Sequence, residues 1–392
     1  MADKAYINPM ILRWARESVR MSQNNAAAKV GVTIEKLNEW EIGDDQPTIK
    51  QAQTLARAYK RPFALFFLPE IPMDFQPLQD FRRKGSKDLT TSSIFIIREI
   101  QQKQTWISNE FAEDNGEKLP FVGKFSINDN PVTVAKDILN TLRINPLGYK
   151  SEKPIKEWIN AAETKGIFIS RTSFIHSRLK LDSEELQGFV ISDPYAPFIF
   201  VNSEDWNAPQ LFTLVHELAH IWIAETGISN EIESEALNKN DTHPVEYFCN
   251  EVAANALIPL DYISEIDRAA FKNAKDVFKL VKPIGVSSFA FLLRAFRLGI
   301  ISPPIYYRLK QEADLDFKDF LKREEEKKVK QKEKVNSSGP NYFLLLLNRN
   351  SRLFTQVVLD AFKGGHIEPT MASNLLNVQI NKFPKLEAQM YR

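Results

Sequence analysis

Cysteine is almost absent: Cys249 stands alone, so no disulfide can form within the chain and a cysteine-rich zinc finger is excluded. That usage fits a reducing cytoplasm. Histidine is scarce too, with five in 392 residues, so any two of them at ligand spacing stand out. No sign of charge dominates, because 51 basic side chains face 50 acidic ones. A nucleic-acid partner would have to be held by a local patch and not by a global field. Long apolar runs are missing as well. The longest, Phe343 to Leu347, ends at Asn348-Arg349, far short of the roughly 20 residues of a membrane helix. The opening MADKAYINPM lacks the basic and apolar blocks of a signal peptide. The expectation is a soluble cytoplasmic protein.

What is present is ordinary globular material, with 43% hydrophobic residues, enough for the cores of two or three domains. Residues 8 to 70 carry apolar side chains at helical spacing (Met10, Ile11, Trp14, Ala15; Ala26, Ala27, Val30; Leu37, Trp40), punctuated by Gly31 and Gly43. Thr33 is a good N-cap for the helix that follows it. A basic connector, Arg82-Arg83-Lys84, leads to a long amphipathic stretch beyond Ser92. Three short apolar runs, at 166–170, 188–192 and 197–202, predict a small sheet whose last strand leads into a helix over 207–224. A second helix is predicted from Pro244 to Leu257. Beyond Glu312 the chain is dense in Glu and Lys up to a linker at 336–340, followed by a separate small helical tail. These shifts place boundaries at 1–75, 76–150, 151–310, 311–340 and 341–392.

The chemistry concentrates in His216-Glu217-Leu218-Ala219-His220. Two histidines four apart on a helix project from one face, so both imidazoles can reach one Zn²⁺, and the intervening Glu217 lies near enough to act as base on its water. A catalytic zinc needs a third protein ligand. The helix beginning at Pro244 offers Glu246, which shares a face with Cys249 and Asn250, while Glu251 lies on another face. Glu225, Glu231, Glu233 and Glu235 are further carboxylates in reach. Cys249 reads as a small buried residue, and His243 as a solvent-facing loop histidine or a group assisting the site. The apolar run holding Phe198, Phe200 and Asn202 is a candidate edge strand, on which an extended substrate could be held by main-chain hydrogen bonds. The competing reading of that run is a core strand.

These residues carry a resemblance. The stretch from Gly166 to Leu260, through GFVISD, PFIFVN, FTLVHELAHIWI and EYFCNEVAANALIP, resembles the ImmA/IrrE family of metallo-endopeptidases. The resemblance implies His216, His220 and Glu246 as zinc ligands, Glu217 as catalytic base, and a zincin-like domain whose small sheet packs on the HExxH helix. Members of that family cut helix-turn-helix repressors. The amino-terminal stretch is similar to a Cro/Xre-type repressor domain, with Thr33 to Trp40 as recognition helix and Thr33, Lys36 and Asn38 as candidate DNA or partner contacts. The expected fold class is therefore α+β and mostly helical: a helix-turn-helix bundle, a zincin-like domain and a helical C-terminal tail.

The recognition helix also carries Glu35 and Glu39, followed by Glu41, and residues 1–60 hold nine Lys/Arg against seven Asp/Glu, a weak footprint for a DNA binder. The leading functional expectation is a zinc endopeptidase of narrow specificity that cuts a repressor or antitoxin-like protein. The alternative is a DNA-binding regulator whose zinc domain senses or scaffolds. A purely structural zinc is disfavoured, since it would have no use for Glu217 as a base.

Overall fold

The structure, a computed structural model, describes residues 3–72, 78–82, 86–113, 116–176, 179–229, 243–333 and 341–391. They fall into two compact units: the first takes in the described residues within 1–77, 87–102 and 174–181, and the second those within 78–86, 103–173 and 182–392.

Each of the first four helices begins on a side chain that satisfies a free backbone N–H. Asn8 caps α1 (Pro9–Glu17), Ser22 caps α2 (Gln23–Val30), and Thr33 caps α3 (Ile34–Ile42). Thr48 and Gln51 form a reciprocal capping box on α4 (Ile49–Ala58). The chain leaves α2 and α3 through left-handed turns at Gly31 (φ 68°) and Gly43 (φ 94°), a conformation that a side chain would strain. Ile11, Leu12, Ala15, Ala26, Leu37 and Leu55 form a dry core. Inside it the Arg16 guanidinium grips Glu41 in a fork, Nε to Oε1 at 2.7 Å and Nη2 to Oε2 at 2.9 Å, and donates to the Met21 carbonyl. One buried ion pair thus ties α1 to the end of α3.

Helix α5 (Thr91–Glu113) contributes residues to both units. In the second unit, α6 (Pro131–Leu142) and α7 (Pro154–Thr164) precede most of a sheet built from β1 (Gln79–Asp80), β2 (Phe168–Thr172), β5 (Gly188–Ile191), β6 (Phe198–Asn202) and β7 (Gly227–Ser229). The hairpin of β3 (Phe174–His176) and β4 (Leu179–Lys180) groups with the first unit. The sheet order is β1-β7-β5-β6-β2. Strand β6 runs parallel to β2 and antiparallel to β5, and β7 is antiparallel to β5. On one face, Ile169, Val190, Ile199 and Val201 join Leu211, Leu214, Val215 and Leu218 of α8 (Asn207–Trp222) in a single core. On the other, Phe168 and Phe198 stack at 5.5 Å and meet the edge of Phe354. Burial on both faces is why these strands read as unbroken apolar runs.

This arrangement corrects the expectation for Phe198, Phe200 and Asn202. Strand β6 is hydrogen-bonded on both sides, so it offers no free edge. Phe198 and Phe200 are fully buried, and Asn202 donates to the Leu186 carbonyl. The competing reading, a core strand, holds.

Helix α9 (Pro244–Leu257) packs across α8 and α6. After it come α10 (Leu260–Ser264), α11 (Ala274–Ile284), α12 (Ser288–Arg297) and α13 (Pro303–Glu333). The last helices, α14 (Tyr342–Asn350), α15 (Arg352–Lys363), α16 (Pro369–Leu376) and α17 (Phe383–Met390), form the helical C-terminal tail, which packs on the rest of the second unit. Helix α14 lies along β2, where the Ser170 hydroxyl donates to the Arg349 carbonyl. Asn350, fully buried, accepts from Lys103 and donates to the Leu376 carbonyl. The fold is α+β and mostly helical. Among the described residues no helix is long and apolar enough to cross a membrane.

Candidate metal centre

The helical repeat alone brings two imidazoles of α8 together, with His216 Nε2 and His220 Nε2 3.1 Å apart. Helix α9 crosses above them and supplies Glu246, whose Oε2 is 3.3 Å from His216 Nε2 and whose Oε1 is 3.1 Å from His220 Nε2. One ligand atom from each of the three lies within 4.8 Å of the others. The histidines are fully buried and Glu246 nearly so. Two nitrogens and one carboxylate oxygen converging on a point form a donor set that could hold a metal ion.

The surroundings fit that use. The Asn250 amide oxygen accepts from His216 Nδ1 at 3.1 Å, which places the proton on Nδ1 and leaves the Nε2 lone pair facing the other two ligands. Ser229, at the end of β7, donates its hydroxyl to Glu246 Oε1 at 3.3 Å. Burial lowers the His220 pKa, against the pull of Glu246, so the ring favours the neutral form that can ligate. Burial alone would raise the pKa of Glu246, but charge and hydrogen bonds from His216 and His220 in their protonated form outweigh it and hold the carboxylate ionised.

Glu217 is different. It is fully buried, and among the described residues neither carboxylate oxygen has a hydrogen-bond partner, a costly condition for a group with no work to do. Burial, followed by the charge of Glu246, raises its pKa well above the usual glutamate range, while the nearby Ser229 hydroxyl opposes the shift. The result is a more basic carboxylate beside the ligand cluster. Gly188 makes the close approach of β5 to this side chain feasible: a Cβ there would fall 2.9 Å from Glu217 Oε1 and 2.6 Å from Thr213 Cγ2.

Other expected residues lie elsewhere. Glu251 pairs with Arg297 at 3.3 Å, away from the ligand trio. Glu225 follows the end of α8 and is not among the converging ligands. Glu231, Glu233 and Glu235, together with Arg83 and Lys84, fall outside the described residues. Cys249 is buried and its thiol is pushed well up by burial. His243 is exposed and lies 4.9 Å from the ring of Phe81. In the first unit, the Thr33 hydroxyl is occupied as the α3 cap. Lys36 is paired with Glu39 at 2.6 Å and Asp45 at 2.7 Å, while Asn38 is exposed and accepts from Gln23. Ser229 and Gly188 were not foreseen, because nothing in their local sequence marks them.

Comparison with known proteins agrees with this division. Residues 12–66 match the helix-turn-helix family model, and residues 162–296 match the model of the IrrE N-terminal-like domain, a peptidase family, spanning the HExxH helix and Glu246. A search of curated proteins finds no match to the chain. The chain is therefore similar to a helix-turn-helix domain over its amino-terminal part and to an IrrE N-terminal-like peptidase domain over 162–296.

Proposed function

We propose that this protein is a zinc-dependent endopeptidase of narrow specificity that acts in the cytoplasm on a transcriptional repressor or antitoxin-like protein and so regulates gene expression. The observation that carries the reading is Glu217, buried and without a partner among the described residues, beside three converging ligands. His216, His220 and Glu246 would hold the metal. Bound there, zinc supplies Lewis acidity, polarising a peptide carbonyl and acidifying the attacking water. Glu217, raised in basicity by its burial, takes up the proton of that water and returns it to the departing amine. Asn250 keeps the His216 ring in its ligating tautomer. No side chain of the cluster needs to form a covalent bond to the substrate.

Metal analysis of the purified protein tests the ligand set: about one zinc per chain is expected from three protein ligands, and His216→Ala should lose it. Glu217→Gln should keep the metal and stop cleavage of a co-expressed repressor. Cleavage that persists in that variant would remove Glu217 from the mechanism.

The helix-turn-helix domain supports a second, compatible role in DNA contact. Glu41 is buried in its fork with Arg16, so its charge does not face a phosphate backbone, and Asn38 remains exposed on α3. A gel shift of the full-length protein on the upstream region of its own gene, with Asn38→Ala as control, tests that role. Retention of the shift in the variant would exclude Asn38 as a base contact.

A further inference from the structure

The outer edge of β7, beside the metal ligands, is filled by the chain itself. Strand β1 pairs with β7 in parallel, Gln79 opposite Gly227 and Asp80 opposite Ile228, and the Phe81 N–H donates to the Ile228 carbonyl at 3.1 Å. The Phe81 ring is 4% exposed. It lies across His220 with centroids 5.6 Å apart and planes within 20°, and it also contacts His243. Gly227 makes room for it, because a Cβ there would fall 2.2 Å from the ring. Arg82 folds back on Asp80 through two bonds of 2.8 and 2.7 Å and donates to the Glu185 carbonyl. Main chain, ring and guanidinium each have a fitted place.

The fit is close but the strand is short. Its two residues are exposed, and a short exposed ladder is the kind of element that opens at low cost. His216, Glu217 and His220 have no exposed surface, and the Phe81 ring is one of the groups that cover His220. A free sheet edge is also the standard means of holding an extended polypeptide, with main-chain bonds giving affinity and alternate side-chain pockets giving selectivity. The strand that would serve here is β7, whose Ser229 reaches Glu246.

We propose that the β7 edge is the docking site for an extended segment of the protein substrate, that the place held by Phe81 is a selectivity pocket for an aromatic side chain, and that residues 79–82 occupy this site as an internal competitor. The proposal rests on the peptidase reading above. A substrate must displace the segment, which keeps the centre closed to unselected peptides.

The test uses the full-length zinc-loaded protein and reads the rate at which a chelator removes zinc, a measure that needs no turnover. Phe81→Ala should release zinc about tenfold faster, as expected when a buried ring is removed from a cover. The acetylated peptide Leu-Gln-Asp-Phe-Arg should restore slow release in that variant, and the same peptide with Ala for Phe should not. Gly227→Ala, which pushes the ring off from the opposite side, repeats the test should Phe81→Ala fail to fold. Unchanged release in a folded variant overturns the proposal, and so does fast release that neither peptide slows. Peptides with Phe or Ala at that place are then offered as substrates. If release and rescue behave as expected but no variant cleaves any peptide, the peptidase reading fails while the docking site stands.

Discussion

Asn250 sits one helical turn beyond Glu246 and does what no ligand can do for itself: its amide oxygen decides which nitrogen of His216 carries the proton. Asn250→Ala should lower zinc affinity by about 10- to 100-fold, the usual effect of losing such a support, with Glu246 and both histidines intact. Competition with a fluorescent chelator measures it. Because burial lowers the His220 pKa, protons should compete for that ring only below the usual histidine value of about 6.5, and zinc should be retained to correspondingly lower pH. Gly188→Ala is a sharper probe of the base. The added methyl meets the Phe200 carbonyl as well as Glu217, so the carboxylate must shift; kcat should fall while bound zinc, read by metal analysis, stays near one per chain. The residues visible in the sequence were those placed by a local rule. His216, Glu217 and His220 follow from the helical repeat, and Glu246 from one cluster on the next helix. Ser229, Gly188 and Phe81 reach the site through strand pairing between distant segments, which leaves no local trace.

At the level of elements, the two site helices were legible almost to the residue, since α9 begins at Pro244 and ends at Leu257 as its pattern indicates. The strands were legible as runs but not in their order. An interior strand and an edge strand covered on both faces share one apolar signature, and only hydrogen-bond partners separate them; for that reason the sequence left β6 open between the two. Strands β1 and β7 are too short to show any period. The junction of α14 and α15 offers a test of a contact that no sequence pattern marks. Glu163, on α7, accepts from the Ser351 hydroxyl at 2.6 Å and from the Arg352 and Leu353 N–H groups, capping α15 from outside. Burial raises its pKa despite these donors, so the folded protein holds this proton more tightly than the unfolded chain. Its contribution to stability is then full below the unfolded value and declines as pH rises through the folded one. Glu163→Gln should flatten that decline in thermal melts taken across the range; an unchanged slope would show that another group produces it.

Over the whole molecule, the sequence showed the division into a helix-turn-helix region, a metal-site region and a helical tail, but not the contacts that two of its features make. Glu41, counted as an acid beside the recognition helix, is the buried partner of Arg16. Glu41→Ala leaves a buried guanidinium without its counter-charge and should destabilise the first unit by about 3–5 kcal/mol, read as an early transition in denaturant melts that leaves the zinc content unchanged. The C-terminal helices read as a tail because their polar faces resemble those of any small bundle. In the structure they cover the second face of the sheet through Phe354, and they anchor there through Asn350 and Ser170.

That cover has a consequence for how the protein is made. The ribosome delivers Phe168 and Phe198 long before Phe354, so the nascent sheet emerges with an aromatic face that nothing yet shields. Long-range pairings of this kind close late, and until they do the chain is a client for chaperones and a target for proteases. A message truncated before α14 would yield every residue of the candidate metal site and still fail to yield a durable fold.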